Sequence, residues 1–265
     1  MSSHMISASP TSASPASPAM MLTRIYLREA GYEFLRLLGM PAFALPTLIF
    51  PLVFYVMFAI VLPGRWGEFD KSAYLLATYG VFGIMGPALF GFGVGLALER
   101  ENGLLALKQV SPMPTGAYFF AKIAMSLCFA LVVVVLLSIA AVGFGEVEIA
   151  LDRWLRLVAV LLLGTLPFCA LGLWMGTLLK GQAAVAIVNL VYLPMSILSG
   201  LWMPLFAFPQ LLQKAAVIWP SWHLAQLALG VIGQIDGVRY GLHISVLLVT
   251  TALFLSLAAL RLRGR

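Results

Sequence analysis

Six apolar runs, each about as long as a membrane is thick, decide what this chain can fold into. They lie near residues 41–62, 73–98, 116–142, 154–178, 183–203 and 241–260. A helix of about 20 apolar residues crosses a hydrocarbon layer of roughly 30 Å. Inside lipid every backbone N–H and C=O must be paired within the protein, and for long continuous runs the helix achieves this. The chain therefore reads as an all-α polytopic membrane protein with six transmembrane helices. Charge usage agrees: 10% of its 265 residues are charged, against about 25% in a soluble domain. The net charge of +6 does not indicate nucleic acid, because no basic cluster is interleaved with aromatics. Positive residues flanking membrane helices account for it.

The remaining segments have their own patterns. Residues 22–39 place Arg24, Arg28, Glu29, Glu33 and Arg36 beside Leu22, Ile25, Tyr26, Phe34 and Leu37. Charges at spacings of three and four next to an apolar stripe predict an amphipathic interfacial helix, ended by Gly39 and Pro41. Residues 204–235 are apolar but broken by Pro204, Pro209, Pro220 and Gly230. Two short helices that enter the membrane and return suit that pattern, since proline prevents an unbroken crossing; two further spans are the alternative. Residues 1–21 are rich in Ser, Ala and Pro and read as a disordered leader or tag remnant. Residues 22–265 then form a single transmembrane domain.

With both termini on the cytoplasmic face, the inner segments carry ten Lys and Arg and the outer ones six. The positive-inside rule favours that orientation. Cys128 and Cys169 fall within spans and act as small apolar side chains. His4, His223 and His243 lack metal-ligand spacing, so no metal site is expected.

One charged island stands out, Leu98-Glu99-Arg100-Glu101-Asn102-Gly103-Leu104-Leu105, followed by Lys108 and Ser111-Pro112. Charges are costly beside lipid, so the island belongs at a membrane face or against another protein. A loop helix on lipid headgroups is the simpler reading, but anionic headgroups repel Glu99 and Glu101, which suit a basic protein partner.

Glu99-Arg100-Glu101, Gly103-Leu104-Leu105, Pro112 and Ala121-Lys122, together with Leu198-Ser199-Gly200, Pro204, Phe208-Pro209 and Trp219-Pro220, resemble the signature of type-2 ABC exporter permeases. The resemblance spans residues 22–263. Ala106 stands where family members often carry Glu, and Ala121 where Gly is usual. The resemblance implies the membrane subunit of an ATP-driven exporter in a bacterial-type inner membrane, non-catalytic itself and working as a homodimer. A separate ABC ATPase would bind ATP and Mg, since this chain has no P-loop and no cofactor of its own. It further implies that Glu99, Arg100, Glu101, Gly103, Lys108 and Pro112 form a coupling helix against that ATPase, helped by Arg24 and Arg28.

Polar groups in the spans need partners or a cavity. Asn189, Tyr192, Ser196 and Ser199 share one helical face, explained by interhelical hydrogen bonds or by a substrate path. Phe82, Met85 and Phe90 on the second span either pack on neighbours or line an apolar cavity. Gly91 and Gly95, and Gly172 and Gly176, permit close helix approach. Trp202, Trp219 and Trp222 are interfacial anchors or an outer gate. The expected cargo is a drug-like or lipid-like amphiphile; a polysaccharide or lipid-linked glycan is the alternative. A secondary transporter would normally show acidic residues deep in the spans, and none is evident.

Overall fold

A computed structural model describes residues 18–105, 107 and 114–263. The expected leader is therefore described only from Pro18, and Lys108, Ser111 and Pro112 lie outside the described residues.

Helix α1 (Pro18–Leu38) begins ahead of the expected residue 22. After a short turn the chain enters α2, which runs Pro41–Val61 with a widened last turn at Val56–Val61. Its first residue, Pro41, has its fixed φ suited to a helix start. A small antiparallel hairpin follows, β1 (Arg65–Trp66) and β2 (Phe69–Asp70), with Arg65 opposite Asp70. It is a two-stranded departure from the all-α expectation.

Asp70 then caps α3 (Lys71–Glu101), its carboxylate accepting from the Ala73 N–H at 2.8 Å. Within α3, Pro87 removes one backbone donor, and the turn at Phe90–Val94 widens to a π-helical form. Next come α4 (Thr115–Phe144), α5 (Leu151–Leu178) and α6 (Ala183–Leu198). Beyond α6 the chain forms short pieces: α7 (Gln210–Ala215) and α8 (Pro220–Val231), before the long α9 (Tyr240–Arg263).

Five helices, α2, α3, α4, α5 and α9, are long and apolar enough to cross a membrane. The expected span at 183–203 is shorter: α6 stops at Leu198, and Gly200 adopts φ +75 just beyond it. That left-handed conformation favours glycine and turns the chain out of the helix.

Helix α3 is the centre of the bundle, packed against α2, α4, α5, α6 and α8. Nearly every side chain from Ser72 to Leu89 is buried. Helices α9 and α2 are largely exposed, as expected for surfaces facing lipid or another chain. The α3–α5 contact depends on missing side chains: a Cβ on Gly172 would sit 2.8 Å from the Ala88 carbonyl oxygen, and one on Gly176 3.0 Å from that of Gly93. Backbones this close gain dispersion contacts that larger residues would forbid. Cys128 is exposed, Cys169 is buried, and both thiols are free.

Candidate functional site

Successive residues on a helix are about 100° apart, so three consecutive charges at the end of α3 point in three directions. Each finds a different neighbour. Glu99 turns inward and is 4% exposed. Its Oε1 accepts from Lys122 Nζ and from Arg36 Nη2, both at 3.0 Å, and its Oε2 accepts from the Tyr118 hydroxyl at 2.7 Å. Arg100 reaches α5, donating from Nη1 to the carbonyls of Gly176 and Thr177 at 2.8 Å each. Carbonyls in a helix's last turn lack intrahelical partners, and a cation there also meets the negative end of the helix dipole. Glu101 is exposed and lies against Gly181, where any Cβ would collide with its carboxylate. Gly181 has φ +40, so the α5–α6 turn favours glycine for its conformation, while the exposed Glu101 side chain could swing aside.

Glu33 on α1 completes the inward group. Its Oε1 accepts from Lys122 Nζ at 2.6 Å and from Arg36 Nη2 at 2.7 Å. Burial alone would raise the Glu33 carboxyl pKa, but Lys122 and Arg36 outweigh it and hold the group below its ordinary value. Burial likewise acts to lower the Arg36 pKa, and the carboxylates of Glu33 and Glu99 reverse the effect.

Beside this group a cavity of about 770 Å³ opens between α2, α3 and α6. Aromatic rings from α2 (Phe43, Phe50, Phe54), α3 (Phe82, Phe90) and α6 (Tyr192) line it, with Trp202, while Arg36, Glu99 and Asn102 stand at one end. Tyr192 stacks on Phe82 at 5.0 Å between centroids and donates its hydroxyl to the Phe82 carbonyl at 3.2 Å. A wall of rings with few polar groups suits the apolar body of an amphiphile.

The sequence-expected residues separate clearly. Phe82, Phe90, Asn189 and Tyr192 line the cavity. Met85 is fully buried in the core, away from it. Ser196 is buried too and accepts from Trp202 Nε1 at 3.1 Å. Trp202 itself packs on Phe54 and Phe82 as part of the cavity wall. Trp219 and Trp222 stand elsewhere, Trp222 against the rings of His223 and His243. Arg24, Arg28 and Gly103 are exposed, and Gly103 has φ +70.

Sequence reasoning grouped Glu99 with Glu101 on one docking surface, and took Lys122 as a flanking charge and a member of the family signature without pairing it to either carboxylate. The available signal was Lys122 itself, a cation inside an otherwise apolar helix, which requires a buried counter-charge. The histidines were also placed apart in sequence, yet His223 and His243 bring their Nδ1 atoms to 2.9 Å. His223 Nε2 lies 2.9 Å from the Val217 carbonyl and must donate to it. In the neutral pair His223 Nδ1 then accepts from His243 Nδ1–H.

Five long apolar helices, one of them buried at the centre, define a multi-pass helical membrane protein, with an aromatic cavity opening beside a charged helix end. Residues 67–260 match the family model described as ABC-2 family transporter protein, and the chain belongs to that family. It is also 29% identical over 193 residues to a Bacillus subtilis (strain 168) protein designated a transport permease, YvfS; the match covers 72% of this chain and 78% of that one. The protein is a membrane transport permease, and its family implies partnership with an ABC ATPase subunit.

Proposed function

We propose that this chain is the membrane half of an ATP-driven exporter that moves a drug-like or lipid-like amphiphile out of the cytoplasm or inner leaflet. The observation that carries the reading is the aromatic cavity, set directly beside the charged end of α3. A ligand's apolar body gains from burial among the rings of Phe54, Phe82 and Tyr192, while its polar part stays at the Arg36–Asn102 end.

In this reading both termini are cytoplasmic, and the excess of Lys and Arg on that side supports the orientation. Helix α1 lies at the inner interface, α6 is the sixth crossing, and α7 and α8 form the re-entrant element before α9. Two copies form the pore, and a separate ATPase binds the inner face. Glu101, Arg24 and Arg28 are exposed on that face and offer it charged contacts. Lys108 and Pro112 complete the coupling segment. ATP-driven closure of the two ATPases would push on this surface and narrow the cavity, releasing cargo past the segment around Trp202, Trp219 and Trp222.

The test reconstitutes the permease in inverted vesicles with an ABC ATPase that co-purifies with it. One set is given rhodamine 6G, a drug-like amphiphile, in the outer medium that bathes the cytoplasmic face, and another carries a fluorescent phosphatidylethanolamine in its outer leaflet. Movement of either probe that needs ATP, and falls about tenfold in Glu101→Lys with hydrolysis retained, is the expected result. Movement driven by an ion gradient without ATP would overturn it.

A further inference from the structure

Among the described residues three charged side chains are buried, Glu33, Glu99 and Lys122, and all three meet in one place. Lys122 is entirely enclosed, two helical turns into α4 from its start at Thr115. Arg36 joins them from a half-exposed position. The bonding is a closed ring. Glu33 Oε1 accepts from Lys122 and Arg36 at 2.6 and 2.7 Å, and Glu99 Oε1 accepts from the same two cations at 3.0 Å each. Every charge is therefore bonded to both members of opposite sign, and the ring as a whole is neutral.

Three helices contribute: α1 supplies Glu33 and Arg36, α3 supplies Glu99, and α4 supplies Lys122 with Tyr118 supporting Glu99. The ammonium packs closely on Gly95, where a Cβ would stand 3.3 Å from Nζ. Stability is a weak reason for such a ring, because apolar side chains of similar volume usually hold a protein together as well as a buried ion pair. A ring does something that apolar packing does not. It fixes register, since sliding any one helix along its neighbours breaks at least two charged hydrogen bonds at once.

Its position gives that rigidity a direction. Residues 99–101 carry the ring, the contact to the end of α5, and the exposed Glu101 within a single helical turn. On the other side, Arg36 and Glu99 are part of the cavity lining, and so is Leu37 from α1. Helix α1 lies outside the stretch that matches the ABC-2 family model, which begins at residue 67. The ring is the charged part of the link between this helix and the matched body, beside the aromatic contacts of Tyr26 with Phe120 and Phe34 with Phe129.

We propose that the Glu33–Arg36–Glu99–Lys122 ring is a mechanical joint, making α1, the end of α3 and the start of α4 one rigid body. Displacement of the Glu101 end of α3 then carries α1 with it, and with α1 the charged end of the cavity. Lys122 is the positioning residue at its centre. The inference rests on the ATP-driven reading above, because it assigns the joint the task of passing on the ATPase's movement.

Hydrogen exchange tests it on the permease–ATPase complex in nanodiscs, with and without Mg and a non-hydrolysable ATP analogue. The two segments followed are 22–38 and 95–105. In the wild type, nucleotide should change exchange in both by about twofold or more. Glu99→Gln with Lys122→Met removes one charge of each sign, leaves the Glu33–Arg36 pair, and should melt close to the wild type. In that double variant the 95–105 response should persist while the 22–38 response is lost. A merely structural ring predicts that both responses return once stability does, and that result would overturn the joint. Should the double variant not fold, Glu33→Gln with Arg36→Gln removes both α1 members, one charge of each sign, leaves the Glu99–Lys122 pair, and is judged by the same two segments. No response of either segment in the wild type would overturn the ATP-driven reading, and the joint with it.

Discussion

At one end of the bundle Glu33, Arg36, Glu99 and Lys122 meet as four formal charges. At the other, Ser199 meets Ser221 and His223 meets His243, with no carboxylate among the contacts. Apart from the half-exposed Arg36, both groups are buried, and both join helices distant in sequence, but they hold in different ways. In the charged group each member is the counter-charge of two others, so losing one leaves ions stranded in a medium that solvates them poorly. In the neutral group the loss of one partner leaves a dipole to find another acceptor, and helix backbones supply one: the Ser199 hydroxyl already donates to the Met195 carbonyl at 2.6 Å. The difference separates a part built to keep its geometry from one able to rearrange at modest cost.

The sharpest way to break the comparison is at Lys122. Lys122→Met alone leaves two buried carboxylates sharing only Arg36, and should lower stability by about 3–5 kcal/mol. Thermal unfolding of the purified permease in detergent measures it. A loss no larger than at the neutral end would remove the distinction.

Glu33 sharpens the same point through pH. Its folded-state pKa is depressed below 4.5, so its contribution is complete above that value and is lost as pH falls through the folded one. The wild type should exceed Glu33→Gln by about 1.5–3 kcal/mol at neutral pH, as for a hydrogen bond to a charged group. The two unfolding curves should keep that separation down to the ordinary carboxylate range and converge only in stronger acid. Convergence already at pH 6 would place the effect elsewhere.

The smallest effect belongs to the neutral end. Ser221→Ala removes the hydroxyl facing Ser199 and should cost roughly 0.6 kcal/mol, the average for hydrogen bonds between membrane helices. A loss as large as that of Lys122→Met would make the two ends alike.

The helices were legible because long apolar runs have few other solutions, and the amphipathic α1 was legible from its charge spacing. The end of α6 was less so, because hydropathy continues through Leu201 and Trp202 while the backbone turns at Gly200. Of the cavity, Asn189 and Tyr192 were found from their shared helical face, and Phe82 and Phe90 as aromatic residues of the second span. Phe43, Phe50 and Phe54 were missed, since in a fully apolar helix such as α2 no pattern distinguishes a cavity wall from a lipid-facing side. The charge ring was missed for another reason. Its members are 63 and 89 residues apart at its widest links, and local spacing carries no information about such pairings.

Lys122 has a consequence for how the chain is made. A lysine inside a membrane helix opposes insertion by about 2.5–3.5 kcal/mol when it is deep and unpaired. Synthesis runs from the N-terminus, so Glu33 and Glu99 leave the ribosome before Lys122 does. The lysine thus arrives where both of its counter-ions already exist, and the order of residues along the chain is also an order of assembly.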